Sequence, residues 1–272
     1  MARLDGARTV SLGSGVRAAW SDRSRGDLRP GGPGPADGPA LSLFAARSAE
    51  ATGTRIGQVA WASQVHGTRV CTVRAGSGPG TPDVDGAVGA DPGADPDAGS
   101  ATGGDVVLRH VGEGDALVSA DPGVALCILT ADCAPLALAS AEGFFGAVHA
   151  GWRGLREGVV EAAVEQLQSW GATDVVGSLG PCIHAGCYEF GDDDLASVAG
   201  VLGGSVRGRT TAGAPALDVP AGVAAALGRA GARWVDGVDV CTACDRDWFS
   251  HRARGDTGRQ AMMVWSTRGS PA

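Results

Sequence analysis

The sequence predicts an α+β fold: a single compact domain with mixed β-sheets flanked by helices. Two observations carry this. Short aliphatic or β-branched runs and helix-period stretches both recur along the 272 residues, without the strict alternation of a doubly wound parallel sheet. The hydrophobic content of 44% supports one sizeable core, and no internal repeat or second domain is visible. The expectation is one domain over 1–272, interrupted by a flexible insertion at 75–104.

Taken in order, Val10 to Trp20 reads as a strand feeding a turn at Ser21-Asp22-Arg23-Ser24. Residues 31–38, GGPGPADG, are too rich in glycine and proline to carry a ladder and read as loop. Leu41 to Ala51 has helical spacing, with Gly53 placed to close it. Arg55 to Ser63 and Arg69 to Arg74 read as two strands joined by Gln64-Val65-His66-Gly67-Thr68, so His66 falls on a turn. Ala75 to Gly104 has no apolar period and is dominated by Gly, Pro, Asp and Ala, the composition of a flexible loop. Its aspartates match neither an EF-hand nor a glycine-aspartate nonapeptide repeat.

Order resumes at Val106. Ahead of the turn Asp121-Pro122-Gly123 stands Asp115-Ala116-Leu117-Val118. Two apolar runs follow, Val124 to Leu129 and Phe144 to Val148. The first leads through Thr130-Ala131-Asp132 to Cys133, and the second ends on His149. After Arg153, Leu155, Val159, Val160, Ala163, Val164 and Leu167 fit one face of a helix that Gly171 stops. Val175 to Leu179 is a strand, and GPCIHAGCYEFG a loop with glycines at both ends. Val219 to Ala230 is a second amphipathic helix, with late strands at Val238 to Cys241 and Ala261 to Trp265.

Composition narrows the function. A net charge of −8 argues against a nucleic-acid partner, which needs a clustered basic face. No apolar run reaches the roughly 20 residues of a membrane span, and the first residues lack the apolar core of a signal peptide; the expectation is a cytoplasmic protein. All 22 basic residues are arginine. That excludes a Schiff-base lysine, a Ser-Lys dyad and a GK[ST] phosphate loop. Seven cysteines, an odd number, suit metal binding, catalysis or burial better than a disulfide framework. Cys71 and Cys127 lie inside apolar runs and are expected in the core.

His66, Cys133 and His149 each stand where a strand gives way to a turn. One thiolate and two imidazoles match a borderline-soft zinc ion and leave a fourth position for water or substrate, the pattern of a catalytic site. A rival use of the same residues makes Cys133 a nucleophile, His149 its base and Asp132 an orienting group. Cys241 and Cys244, in CTAC, form a redox pair or half of a zinc site, with no second CxxC to complete it.

Five segments, QVHGTRV, GDALVSADPGVALCILTADCAPLAL, GAVHAGWRG, GPCIHAGCYEFG and WFSHRARGDTGRQAMMVW, follow one another from Gln64 onward. Together and in order they resemble the laccase-domain, or polyphenol oxidase-type, family of zinc-dependent purine nucleoside phosphorylases. The resemblance implies that His66, Cys133 and His149 hold zinc. It also implies phosphorolysis of adenosine, inosine, guanosine and methylthioadenosine, with hydrolytic deamination of adenosine. Purine nucleosides and phosphate are then the partners, and a monomer is expected. Arg153 and Arg23 are the candidates for phosphate, since a guanidinium binds two oxygens at once. Gly180, Pro181, Cys182 and Ile183 are placed to offer backbone amides to substrate, and Glu189 or Asp132 to carry a proton. Copper is the alternative metal, but the five histidines (66, 110, 149, 184 and 251) are too few for four-copper phenol oxidation.

Overall fold

Period-two burial builds two large sheets and three apolar layers. In the strand Val124–Thr130, Val124, Leu126 and Ile128 face one way and Ala125 and Cys127 the other, as successive residues of a strand must. The first set meets Leu117, Ala137, Phe145 and Ala147 of a second sheet. The second set packs under Leu41, Phe44, Ala45 and Ala49 of the helix Asp37–Thr52. On the far side of the second sheet, Leu136, Leu138 and Val148 meet Leu155, Val160, Val164, Leu167, Val223 and Leu227 from helices. The order through the molecule is helix, sheet, sheet, helices. This is the α+β architecture with mixed sheets that the sequence predicts. The computed structural model describes residues 2–4, 7–29, 37–76 and 106–268. The predicted insertion at 75–104, apart from Ala75 and Gly76, lies outside the described residues.

The first sheet runs Ala2–Leu4, Ala7–Gly13, Val16–Ser21, Gln260–Ser266, Val124–Thr130, Gln58–Ser63 and Val107–Glu113. Gln58–Ser63 is parallel to both its neighbours, and Gln260–Ser266 is antiparallel to both of its own. The second runs Arg233–Val235, Val175–Leu179, Ala134–Ser140, Phe145–Ala150, Ala116–Ser119 and Val70–Thr72. The two strands flanking His66 therefore do not pair. Each belongs to a different sheet, and the segment between them crosses from one to the other.

Several expectations are corrected. The stretch Val10 to Trp20 is two antiparallel strands, folded back at Ser14 and Gly15, whose φ angles are 50° and 79°; consecutive positive φ values give the turn whose twist suits a hairpin. The helix after Arg153 is two helices, Trp152–Glu157 and Val159–Ser169, divided at Gly158 with φ 96°. All six residues expected on its buried face are buried nonetheless. Val238 to Cys241 is not a strand; its end makes one isolated bridge, Cys182 to Cys241. Cys127 is buried, but Cys71 is only half-buried, on an edge strand. A helix not anticipated, Asp192–Leu202, starts with three aspartates that complement its positive end and buries Leu195, Val198 and Leu202.

Candidate metal centre

His66 and Cys133 come from two of the places where the chain crosses between sheets, and His149 from a strand end beside them. Gln58–Ser63 of the first sheet leads through His66 to Val70–Thr72 of the second. Val124–Thr130 of the first leads through Cys133 to Ala134–Ser140 of the second. His149 shares parity with Phe145 and Ala147, which face the inter-sheet core. The ligand atoms of the three lie within 4.8 Å of one another. Cys133 Sγ is 3.7 Å from His66 Nε2, and the two imidazoles meet edge to face with centroids 4.8 Å apart. The backbone at this edge is unusual: His66 has φ 64° and Asp132 φ 92°, values that side-chain-bearing residues seldom adopt.

Asp115 holds this conformation in place. Its carboxylate is fully buried and accepts from the backbone N–H groups of Val65 (3.2 Å), His66 (2.9 Å) and Gly67 (2.8 Å). The same carboxylate is 2.8 Å from His149 Nδ1, which leaves Nε2 as the histidine's free nitrogen. One side chain thus fixes two of the three donors, the carboxylate–histidine arrangement that orients metal ligands. Gln64 adds a second tie, its amide bonding both the N–H (2.9 Å) and the C=O (2.7 Å) of Leu129. Asp132 is engaged on both oxygens, by Thr242 Oγ1 and the Arg252 N–H, each at 2.6 Å. It is an anchor for the Cys133 loop, with no free oxygen to move a proton or orient His149.

The electrostatics favour a thiolate. Burial opposes ionisation of Cys133, but His149 and His66 outweigh it and bring the thiol down to about 6. Burial likewise opposes charge on His149, and the Cys133 thiolate with Asp115 lifts the imidazole to about 9. Asp115, also penalised by burial, is held below its ordinary value by His149 and the Gly67 and His66 amides. Space is reserved as well. A Cβ at Gly151 would stand 2.7 Å from His66 Cδ2 and 3.4 Å from Cys133 Sγ, so only glycine leaves the donors room. A soft or borderline cation suits this set of one ionised sulfur and two imidazoles.

The other expected residues are distributed unevenly. Arg153, two residues beyond Gly151, is exposed and lies over the Trp152 ring, 4.5 Å from its centroid. Trp152 meets Phe190 and Phe190 meets Tyr188, both edge to face, and Arg252 lies over Tyr188. Arg23 is bonded to Asp256 and stacked on Phe249, so its charge already has a partner. The loop Gly180 to Ile183 is buried, and its amides are spent inside the fold. Gly180 donates to Pro135, Cys182 to Val240 and Ile183 to Asp132, and Pro181 has no N–H. Those residues shape the loop and offer substrate no donor. Glu189 is exposed. Sequence reasoning missed Asp115 and Gly151. The signal for the first was an aspartate at the head of an otherwise apolar strand, since a buried carboxylate demands partners.

The family model described as multi-copper polyphenol oxidoreductase laccase matches residues 43–267. Over 268 residues the chain is 34% identical to a purine nucleoside phosphorylase of Streptomyces griseus, covering 95% of this chain and 97% of that protein. It is 37% identical over 221 residues to a purine nucleoside phosphorylase of Streptomyces coelicolor, covering 80% and 79%. A solved protein of Neisseria meningitidis superposes with a TM-score of 0.68 at 25% identity, over 96% of this chain and 99% of that one. A hypothetical protein of Bacillus licheniformis shares the fold with a TM-score of 0.71 at 21% identity, over 97% of both chains.

Proposed function

We propose that this chain, which belongs to the multi-copper polyphenol oxidoreductase laccase family, is a zinc-dependent purine nucleoside phosphorylase. The observation that carries the reading is the convergence of His66, Cys133 and His149 on one braced edge. It occurs in a chain 34% identical, over 95% of its length, to a protein named for that activity. The donors favour zinc over several coppers. Among the described residues, His66 and His149 are the only two of the five histidines that share a metal-capable group. Bound there, zinc supplies positive charge and Lewis acidity beside a reacting oxygen.

The chain's own residues position the reactants. Arg153 presents a planar fork that grips two phosphate oxygens, with its guanidinium carbon over the Trp152 ring. The ring series Trp152, Phe190 and Tyr188 offers apolar faces and edges to a purine. Asp115 keeps His149 in one orientation through the reaction. With Asp132 fully bonded, exposed Glu189 is the remaining candidate for proton transfer. The substrates are adenosine, inosine, guanosine and methylthioadenosine. Deamination of adenosine delivers water to the purine C6, releases ammonia and uses no phosphate. The seven free cysteines suit a reducing, cytoplasmic setting.

The test is base release from inosine. Hypoxanthine should appear only with phosphate, together with ribose 1-phosphate, and a strong chelator should stop it. Arg153→Lys keeps the charge but loses the fork. It should raise the KM for phosphate roughly tenfold or more, the loss of one charge-assisted contact, and leave deamination nearly intact. Base release at full rate without phosphate would overturn the assignment. The Asp115–His149–Cys133 sequence of contacts also supports a second reading, a thiol hydrolase built on a thiolate–imidazolium pair. Such an enzyme keeps its activity in chelator.

A further inference from the structure

The CTAC pair finds its missing partner in the glycine-bounded loop. Cys187 Sγ is 3.2 Å from Cys244 Sγ, and the sulfurs of Cys187, Cys241 and Cys244 all lie within 4.8 Å of one another. Zinc–sulfur bonds of about 2.3 Å at tetrahedral angles place ligand sulfurs about 3.8 Å apart, a separation this triangle accommodates. The backbone is shaped for a thiolate at its corner. The His184 N–H donates to Cys241 Sγ at 3.4 Å, and the Ala243 and Cys244 amides also point to that sulfur. Burial opposes ionisation of Cys241, yet these donors bring its thiol below the ordinary value. Cys187 is pushed up to about 12, first by its contact with Cys244 and then by burial. Without a cation the triangle cannot hold several thiolates together; with one, it can.

From this geometry we propose a second, structural zinc site, held by Cys187, Cys241 and Cys244 and separate from the His66–Cys133–His149 centre. The thiols give their protons to solvent as the metal binds. Cys244 is exposed, so the fourth position is open to water. The site has a mechanical role. The Cys182 N–H donates to Val240 and the Thr242 N–H to Cys182, lacing the two loops together. Thr242, between the two knuckle cysteines, donates to Asp132, the neighbour of Cys133. Closing the cysteine triangle therefore holds in register the anchor of the catalytic loop.

The decisive comparison is the zinc content of the full chain, purified under reductant, against that of Cys244→Ser. Cys244 is exposed, so this change leaves the core untouched. The expected difference is one zinc per chain. Cobalt reconstitution gives a second readout, which begins with the wild-type chain. With both centres loaded, the wild-type chain should show a sulfur-to-cobalt absorption band of four-thiolate strength, three from this triangle and one from Cys133. His149→Ala should keep the three-thiolate part, and Cys187→Ser should fall to about the one-thiolate strength of Cys133. Equal zinc content in wild type and Cys244→Ser overturns the site. So does a reduced wild-type chain whose cobalt band has one-thiolate strength. A Cys187–Cys244 disulfide that forms in air, on a reduced chain binding no zinc at these sulfurs, would make the cluster a redox pair and also overturn it. None of these outcomes bears on whether the His66 centre performs phosphorolysis.

Discussion

Asp115 serves two clients from one buried carboxylate, the His66 turn and the His149 ring. In Asp115→Asn the size is kept, but one oxygen becomes an NH2 that faces a donor. Metal affinity should fall about 10- to 100-fold, as when other outer-shell partners of ligand histidines are lost. Stability should fall by about 1–3 kcal/mol for the buried donor left unpaired. A chelator competition and a urea midpoint check both, and unchanged affinity would show that the histidine needs no brace. Cys133 gives a second test at this scale. Its thiol is depressed to about 6, so in the metal-free chain the thiolate form contributes stability that is present above the unfolded thiol range. That contribution is lost as pH falls through about 6. The thiolate ultraviolet absorbance should titrate there, vanish in Cys133→Ser, and move up toward 9.0, the ordinary value, in His149→Ala.

Two glycines bracketing one short helix show how differently an element can depend on the same residue type. Gly158 has φ 96°, with only the Glu161 side chain near its missing Cβ, at 3.7 Å and beyond. Gly151 has φ −71°, which any residue adopts, and is crowded by His66 instead. Gly158→Ala should cost about 1–2 kcal/mol through left-handed backbone alone, with metal content intact. Gly151→Ala should do the reverse, displacing His66 and lowering metal content while the melting temperature holds. If both variants lose stability and metal together, the distinction fails. The same helix marks the limit of what sequence made legible. The buried residues of this helix and the next, Leu155, Val159, Val160, Ala163, Val164 and Leu167, were all readable from spacing. The break at Gly158 was not, because a glycine inside a helical pattern is as often tolerated as it is a stop. The donors His66, Cys133 and His149 were readable as residues at strand ends. Their convergence depends on which strands pair, and pairing over more than 60 residues leaves no local pattern. Asp115 and Cys187 were invisible for that reason. The amides of Gly180 to Ile183 were misjudged because glycine and proline mark a loop without saying where its hydrogen bonds go.

At the scale of the whole molecule, two sheets share an apolar layer and are joined at one rim by the crossings that carry His66 and Cys133. A cation gripped by both crossings and by His149 would act as a clasp on that rim. Taking it away should let the two halves breathe open there, as a book does when its catch is released, while the shared layer keeps the spine shut. Hydrogen–deuterium exchange can see this directly. Chelation should speed exchange of the backbone amides at 64–69 and 131–134, and leave Val124, Ser140 and Phe145, at the opposite ends of their strands, as slow as before. Uniform acceleration would mean that the metal stabilises the fold as a whole. A local opening would mean that the seam between the sheets is weakest where the three donors meet, and that a bound ion is what closes it.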